Sequence, residues 1–224
     1  MVYKQVNTMT YVTIVIIVVM AVVIYFCLIN FRQHRAISFQ NQGEALVAET
    51  LRISFPGKDF HILNHITLEY PGGTTQIDHI LLTCFGIFVI ETKNYSGWIF
   101  ANSDHDHWTQ VIYRSKFKFQ NPLRQNLVHL RAVKKLLDFL PAETIESAVL
   151  FVGNAKFKTD IPHGVFTLQE FITYVASHSK EKLSRNRLQF CIGRIESERL
   201  AITTETDIQH IENLYRRYGK QILE

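Results

Sequence analysis

Ionisable residues lie where an apolar β segment should carry none. The stretch Thr75-Gln-Ile-Asp78-His-Ile-Leu-Leu-Thr-Cys-Phe-Gly86-Ile-Phe-Val-Ile-Glu91-Thr-Lys93 holds two apolar, β-prone runs, 77–83 and 87–92, either side of a Cys84-Phe85-Gly86 turn signal. Asp78 sits in the first run, Glu91 in the second, and Lys93 follows two residues later. Side chains alternate along a strand, so Glu91 and Lys93 point to one face. A Cys84-Phe85 loop sets Asp78 opposite Glu91, and a Phe85-Gly86 loop sets it opposite Lys93. Either two-residue loop gathers all three on one side of the sheet. A three-residue loop would set Asp78 opposite Thr92 instead. Two carboxylates and an ammonium so placed match metal-assisted phosphodiester hydrolysis. Asp78 and Glu91 are hard oxygen ligands for Mg²⁺ or Mn²⁺, with the Thr92 carbonyl as a further donor. The ion polarises the phosphate and acidifies a bound water. Lys93 stabilises the developing charge or orients the water. The bland account is a structural Glu–Lys pair beside a surface aspartate. Glu-x-Lys alone is common, and it is the hairpin spacing of Asp78 that favours a site.

The same stretch carries a resemblance. Gln76-Ile-Asp78-His79-Ile80, Gly86-Ile-Phe-Val-Ile-Glu91-Thr-Lys93-Asn-Tyr and Gly97-Trp98-Ile99 resemble the nuclease-related domain, NERD. So do the upstream Gly43-Glu44 and the downstream Asn121-Pro122-Leu-Arg-Gln125-Asn126, five motifs in order over about residues 40 to 155. That family is regarded as a branch of the PD-(D/E)xK superfamily. The resemblance implies an α/β fold with a restriction-endonuclease-like mixed central sheet flanked by helices, together with a nuclease-type site. It also makes Glu44 an extra acid at that site. Gln125 and His129 resemble the glutamine-hydrophobic-x-x-tyrosine motif of RecB-like nucleases, and depart from it because Asn126 is not hydrophobic and His129 is not tyrosine.

Several elements must position these residues. A helix is expected over 43–55, where Val47, Leu51 and Phe55 recur at four-residue spacing. Glu44, one turn before Val47, fits a first-turn acid that favours the helix dipole as well as it fits the site. A strand over 60–70 turns at Pro71-Gly72-Gly73 into the hairpin, and two short strands follow near 98–100 and 108–113. The intervening His105-Asp106-His107 reads as a loop tip rather than a metal site, since no further ligand stands at a recognisable spacing. In Arg114-Ser-Lys116-Phe117-Lys118-Phe119 a strand puts both lysines on one face. Lys116 and Lys118, with Arg124 beyond them, are candidate phosphate contacts, although a solvated basic edge is as ordinary. Asn121-Pro122 is an N-cap followed by a first-turn proline, opening a helix to Leu140. On it Gln125 either orients a site group or is a plain boundary residue. Strands are expected over 147–152, 165–168 and 188–195. Helices are expected over 169–177 and 204–222, the last with Ile208, Ile211, Leu214 and Tyr215 inward.

The 224 residues, 47% hydrophobic and 20% charged, exclude wholesale disorder. A net charge of +4 permits nucleic-acid binding without arguing for it. Three scattered cysteines, Cys27, Cys84 and Cys191, point to a reducing compartment. The uncharged run from Tyr11 to Ile29 rises ~28 Å as a helix, close to a bilayer's hydrocarbon thickness. Bulky residues rather than a small-x-small cleavage site follow it, which favours an anchor over a signal peptide. Arg32 and Arg35 after the span, against Lys4 before it, tilt the body to the cytoplasmic side. The expected organisation is an anchor and juxtamembrane connector over 1–36, a nuclease-like domain over 37–155 and a C-terminal α/β extension over 156–224. The expected protein is thus a single-pass cell-membrane protein with one transmembrane helix before the fold. It would be a Mg²⁺- or Mn²⁺-dependent nuclease acting on nucleic acid, DNA ahead of RNA. The alternative is a non-catalytic nucleic-acid- or protein-binding module tethered to the membrane.

Overall fold

The computed structural model describes residues 8–219, so Lys4 and Ile222 lie outside the described residues. In chain order the elements are α1 Thr8–Ser54, β1 Phe60–Tyr70, β2 Gly73–Thr83, β3 Gly86–Asn94, β4 Gly97–Phe100, β5 His107–Ile112, β6 Ser115–Gln120, α2 Pro122–Leu136, β7 Ile145–Val152, β8 Ala155–Phe157, β9 Val165–Thr167, α3 Leu168–Ala176, α4 Arg185–Glu198 and α5 Thr204–Tyr218. The chain divides after Asn41 into two units, each taken by itself.

In the first unit, residues Tyr11–Leu28 form the one helical stretch among the described residues that is long and apolar enough to cross a membrane, with a mean hydropathy of 2.9 and none of it buried. Residues 33–42, which follow the apolar run, continue the same helix. They contain neither proline nor glycine, and their arginine, alanine and glutamines are good helix formers.

The second unit is built on a five-stranded mixed sheet in the order β1-β2-β3-β7-β9. β1, β2 and β3 run antiparallel, β7 pairs parallel with β3, and β9 pairs parallel with β7. This is the mixed central sheet the sequence leads one to expect. Its middle strands are apolar at successive positions because both faces are covered. On one face Ile80, Leu82, Ile87 and Val89 pack with Val133 and Leu137 after α2's start and with Leu188 and Ile195 of α4. On the other, Leu81, Phe88 and Ile90 pack with Val47 and Leu51 of α1 and Phe171 and Val175 of α3. A second sheet, β6-β5-β4-β8, buries Ile99 and Trp108 against Phe151 and Val165.

Two expectations fail. Residues 188–195 lie in helix α4, not a strand. Ser184 caps its start, accepting the Arg187 N–H at 3.3 Å, and Leu188, Cys191, Ile192 and Ile195 are its buried residues. That three- and four-residue spacing is helical. α5 departs from its expected orientation: Ile208, Ile211 and Tyr215 are exposed, Leu214 is half-buried, and His210 is buried. Polar contacts decide this, because His210 Nδ1 lies 2.8 Å from Thr74 Oγ1 and Asp207 accepts from Gln76 Nε2 at 3.1 Å.

Candidate functional site

The hairpin that carries the acids closes on a two-residue Cys84-Phe85 loop, with Thr83 paired to Gly86. Thr83 Oγ1 fastens it, accepting the N–H groups of Phe85 at 3.0 Å and Gly86 at 2.9 Å. The ladder then runs back to His79 paired with Ile90, and one further step sets Asp78 opposite Glu91. This is the first of the two registers that gather the three side chains. Asp78 itself lies where pairing lapses on both sides. Between β1 and β2, Asn64 pairs with His79 and Ile66 with Ile77, while His65 between them has a φ of 53°. Freed from the ladder, this end of β3 offers a backbone donor: Asp78 Oδ2 accepts the Thr92 N–H at 2.7 Å.

Glu91 is 2% exposed and is the hub. Its Oε1 lies 2.7 Å from Lys93 Nζ and its Oε2 lies 3.2 Å from His129 Nε2. Lys93 Nζ also donates to Gln125 Oε1 at 3.1 Å. His129 Nδ1 lies 2.6 Å from Thr75 Oγ1. A carboxylate only accepts, so Nε2 carries a hydrogen, and in the neutral ring Nδ1 accepts from the Thr75 hydroxyl. One turn of α2 thus supplies both Gln125 and His129, at the i, i+4 spacing that puts them side by side.

The electrostatics split the two acids. Burial pushes the Asp78 carboxyl well above the usual range, the carboxylates of Glu91 and Glu44 push it further, and the Thr92 N–H and Lys93 only partly oppose them. Burial also pushes Glu91 up, but the Lys93 ammonium and His129 outweigh it and hold Glu91 at about 2. Burial alone would lower Lys93, and Glu91 more than reverses this, so the ammonium is held above its ordinary value. A folded-state value raised above the unfolded one means stability present at low pH and lost as pH rises through the folded value. Asp78→Asn keeps an acceptor for the Thr92 N–H and removes that loss. It is expected to raise the melting temperature at neutral pH in metal-free buffer, with the gain vanishing below about pH 3.9. A lower melting temperature at pH 7 would show that the charge of Asp78 is needed for folding.

Glu44 reaches this cluster through its neighbour. A Cβ on Gly43 would stand 2.5 Å from Asn94 Cβ, so α1 approaches β3 more closely than any other residue type allows. Half-buried Glu44 follows at once, near enough to raise Asp78. α2 is pinned at its cap and in its second turn. Asn121 caps it, accepting the Leu123 N–H at 3.0 Å, and its Nδ2 donates to the carbonyls of Asn102, Ser103 and His105. Asn126, fully buried, donates to Val89 O at 2.9 Å, Ser147 Oγ at 2.8 Å and Ala148 O at 3.0 Å. That bonding accounts for a polar residue where the RecB-like motif has a hydrophobic one.

Asp78, Glu91, Lys93, Glu44 and Gln125 therefore come together, and the Thr92 backbone lies against Asp78. Lys116 and Lys118 stand exposed on β6, the edge strand of the second sheet. Arg124 is tied to the 102–107 loop, paired with Asp106 and donating to Asp104 O at 2.7 Å. His105-Asp106-His107 lies in that loop and at its exit, and among the described residues no three His, Cys, Asp or Glu side chains form a metal-holding group. Sequence reading placed His129 beside Gln125 without seeing that it holds Glu91, and it missed Thr75 altogether. His79, buried on β2, bonds Asn64 Oδ1 through Nδ1 at 2.8 Å, and its burial pushes it down to about 4.

The sequence profile of the nuclease-related domain matches residues 40–152, which spans α1's last turns through β7. The chain belongs to the NERD family. An uncharacterized protein of Bacillus anthracis is 39% identical over 173 residues, covering 75% of this chain and 71% of that relative. The matched range contains every member of the cluster described above, from Glu44 to His129.

Proposed function

We propose that this NERD protein is a metal-dependent nuclease, hydrolysing phosphodiester bonds in nucleic acid, DNA ahead of RNA, and tethered to the cell membrane. The observation that carries the reading is Asp78 set opposite Glu91, with the Glu44 carboxylate near enough to raise Asp78 and Lys93 Nζ 2.7 Å from Glu91 Oε1. The negative charges of Glu91 and Glu44 raise the proton affinity of Asp78, and a cation bound there would relieve that repulsion. Asp78, Glu91 and the Thr92 carbonyl are all hard oxygen donors, the chemistry Mg²⁺ or Mn²⁺ takes while keeping waters in its shell. Such an ion supplies Lewis acidity toward phosphate and a more acidic water. The chain's own residues do the rest. Lys93 offers a fixed positive charge to the phosphoryl oxygens, Gln125 holds Lys93, and His129 with Thr75 holds the Glu91 carboxylate.

Tyr11–Leu28 is the tether, an apolar helix with every side chain exposed. Arg32 and Arg35 beyond it favour a cytoplasmic body, as do three cysteines that form no disulfide. One observation favours the non-catalytic binding module instead: both carboxylate oxygens of Glu91, and Oδ2 of Asp78, already have partners within the protein.

The test uses full-length protein in detergent micelles with linear, circular and single-stranded DNA and with RNA, in Mg²⁺, Mn²⁺ or EDTA. Cleavage that needs the metal and falls at least ~10²-fold in Asp78→Asn supports the nuclease. That variant is the informative one because it is expected to fold more stably than the parent. Binding without cleavage under every metal condition would move the reading to the module.

A further inference from the structure

The second sheet has one buried face and one open face, and the open face is chemically uniform. Along β4, Ile99 is buried while Trp98 and Phe100 are 49% and 39% exposed. Paired residues share a face. Trp98 pairs with Val111 of β5 and Lys156 of β8, Phe100 pairs with Thr109, and Val111 and Thr109 pair with Lys116 and Lys118 of β6. The open face therefore shows two aromatic rings on its middle strand. Lysines stand on both flanks, Lys116 and Lys118 on one and Lys156 on the other, and all three are exposed. A fourth, Lys158, holds its Nζ 4.6 Å from the centre of the Trp98 ring. No acidic residue occupies a paired position on this face.

We propose that this face is a platform for single-stranded DNA. The inference deepens the nuclease reading and rests on it for the class of ligand. Flanking lysines match a phosphate backbone, but they would match a duplex equally well. The rings make the difference, because Trp98 and Phe100 can stack only on bases whose faces are free. Their i, i+2 spacing on one strand sets them about 7 Å apart, a step that two unstacked successive bases can span. Lys158 covers Trp98 in the free protein. An exposed cation–π contact contributes less than base stacking, so a base displaces the ammonium, which then meets phosphate. β4 begins four residues after Lys93, so the platform and the acids are joined by a short chain segment.

The chain has two tryptophans, and Trp108 is 1% exposed, so quenching of tryptophan emission by a bound base reports Trp98. Full-length protein in detergent micelles and EDTA is titrated with a thymidine oligonucleotide, a duplex of equal length and heparin. The expected result is quenching by the single strand, with affinity ~10-fold lower in Trp98→Ala and mostly retained in Trp98→Phe. The pair Lys116→Ala/Lys118→Ala is expected to flatten the salt dependence. Equal affinity for duplex or heparin, or a Trp98→Ala protein that binds unchanged, overturns the platform. EDTA separates the two readings. Cleavage in Mg²⁺ with no effect of Trp98→Ala on binding sinks the platform alone. Binding with quenching but no cleavage sinks the nuclease alone and leaves the platform standing.

Discussion

Lys93→Met is expected to destabilise the protein by ~3–5 kcal/mol at pH 7, the usual cost of stripping one partner from a buried ion pair. Methionine replaces the stem at similar volume, so the loss is electrostatic and not a cavity. Glu91, 2% exposed, is left with His129 as its side-chain partner. The sign with pH follows from Glu91. Its folded value of about 2 lies below the ordinary ~4.3, so the ion pair's stabilisation is present above that ordinary value and is lost as pH falls toward 2. Guanidinium midpoints for parent and variant should therefore differ widely at pH 7, draw together as pH falls below about 4.3, and converge only toward pH 2. A gap that does not narrow over that range would place the contribution of Lys93 in packing. On the nuclease reading the same substitution also removes the positive charge offered to phosphate, and cleavage is expected to fall ~10²–10³-fold under conditions where the variant is folded.

Asn126→Ala is expected to cost ~2–4 kcal/mol, a large effect for a residue that touches no site group. Its Nδ2 satisfies two backbone carbonyls and one hydroxyl, on β3 and β7, from within α2. Each net hydrogen bond contributes about 1 kcal/mol, and acceptors left without a donor in a dry interface cost more. Urea melts read this as a lower midpoint at unchanged slope. A consequence distinguishes it from a generic core defect. Gln125 and His129 flank Asn126 on the same helix, so a looser α2 frees Lys93 and Glu91 from their partners, and activity is expected to fall even where the protein remains folded. A loss below 1 kcal/mol would mean that apolar packing alone holds α2 to the sheet.

Some of the remaining side chains show how far local reading reaches. Asp78, Glu91 and Lys93 were legible because a strand's period of two and a short turn constrain neighbours in sequence. The choice between two registers was not legible. It rests on Thr83 Oγ1 accepting the N–H groups of both Phe85 and Gly86. Strand 188–195 was misread because a short apolar run fits strand and helix alike, and burial at helical spacing resolved it. α5 was recognised as amphipathic, but its orientation followed Thr74, Gln76 and His65, more than 130 residues away in the chain.

The sequence by itself determined the elements and most of the acids: the apolar helix near the N-terminus, the hairpin, the Asn121-Pro122 helix start, and Asp78, Glu91 and Lys93 on one face. These depend on residues a few positions apart, where periodicity, turn chemistry and capping act. Tertiary structure alone decided the partners and the charges. Thr75 meets His129 across 54 residues and Glu91 meets it across 38. Glu44 reaches Asp78 because Gly43 lets a helix lie against Asn94. The lysines of β6 and β8 join Trp98 on one open face only through sheet pairing. Proton affinities follow burial and opposed charge, which exist only once distant segments have packed.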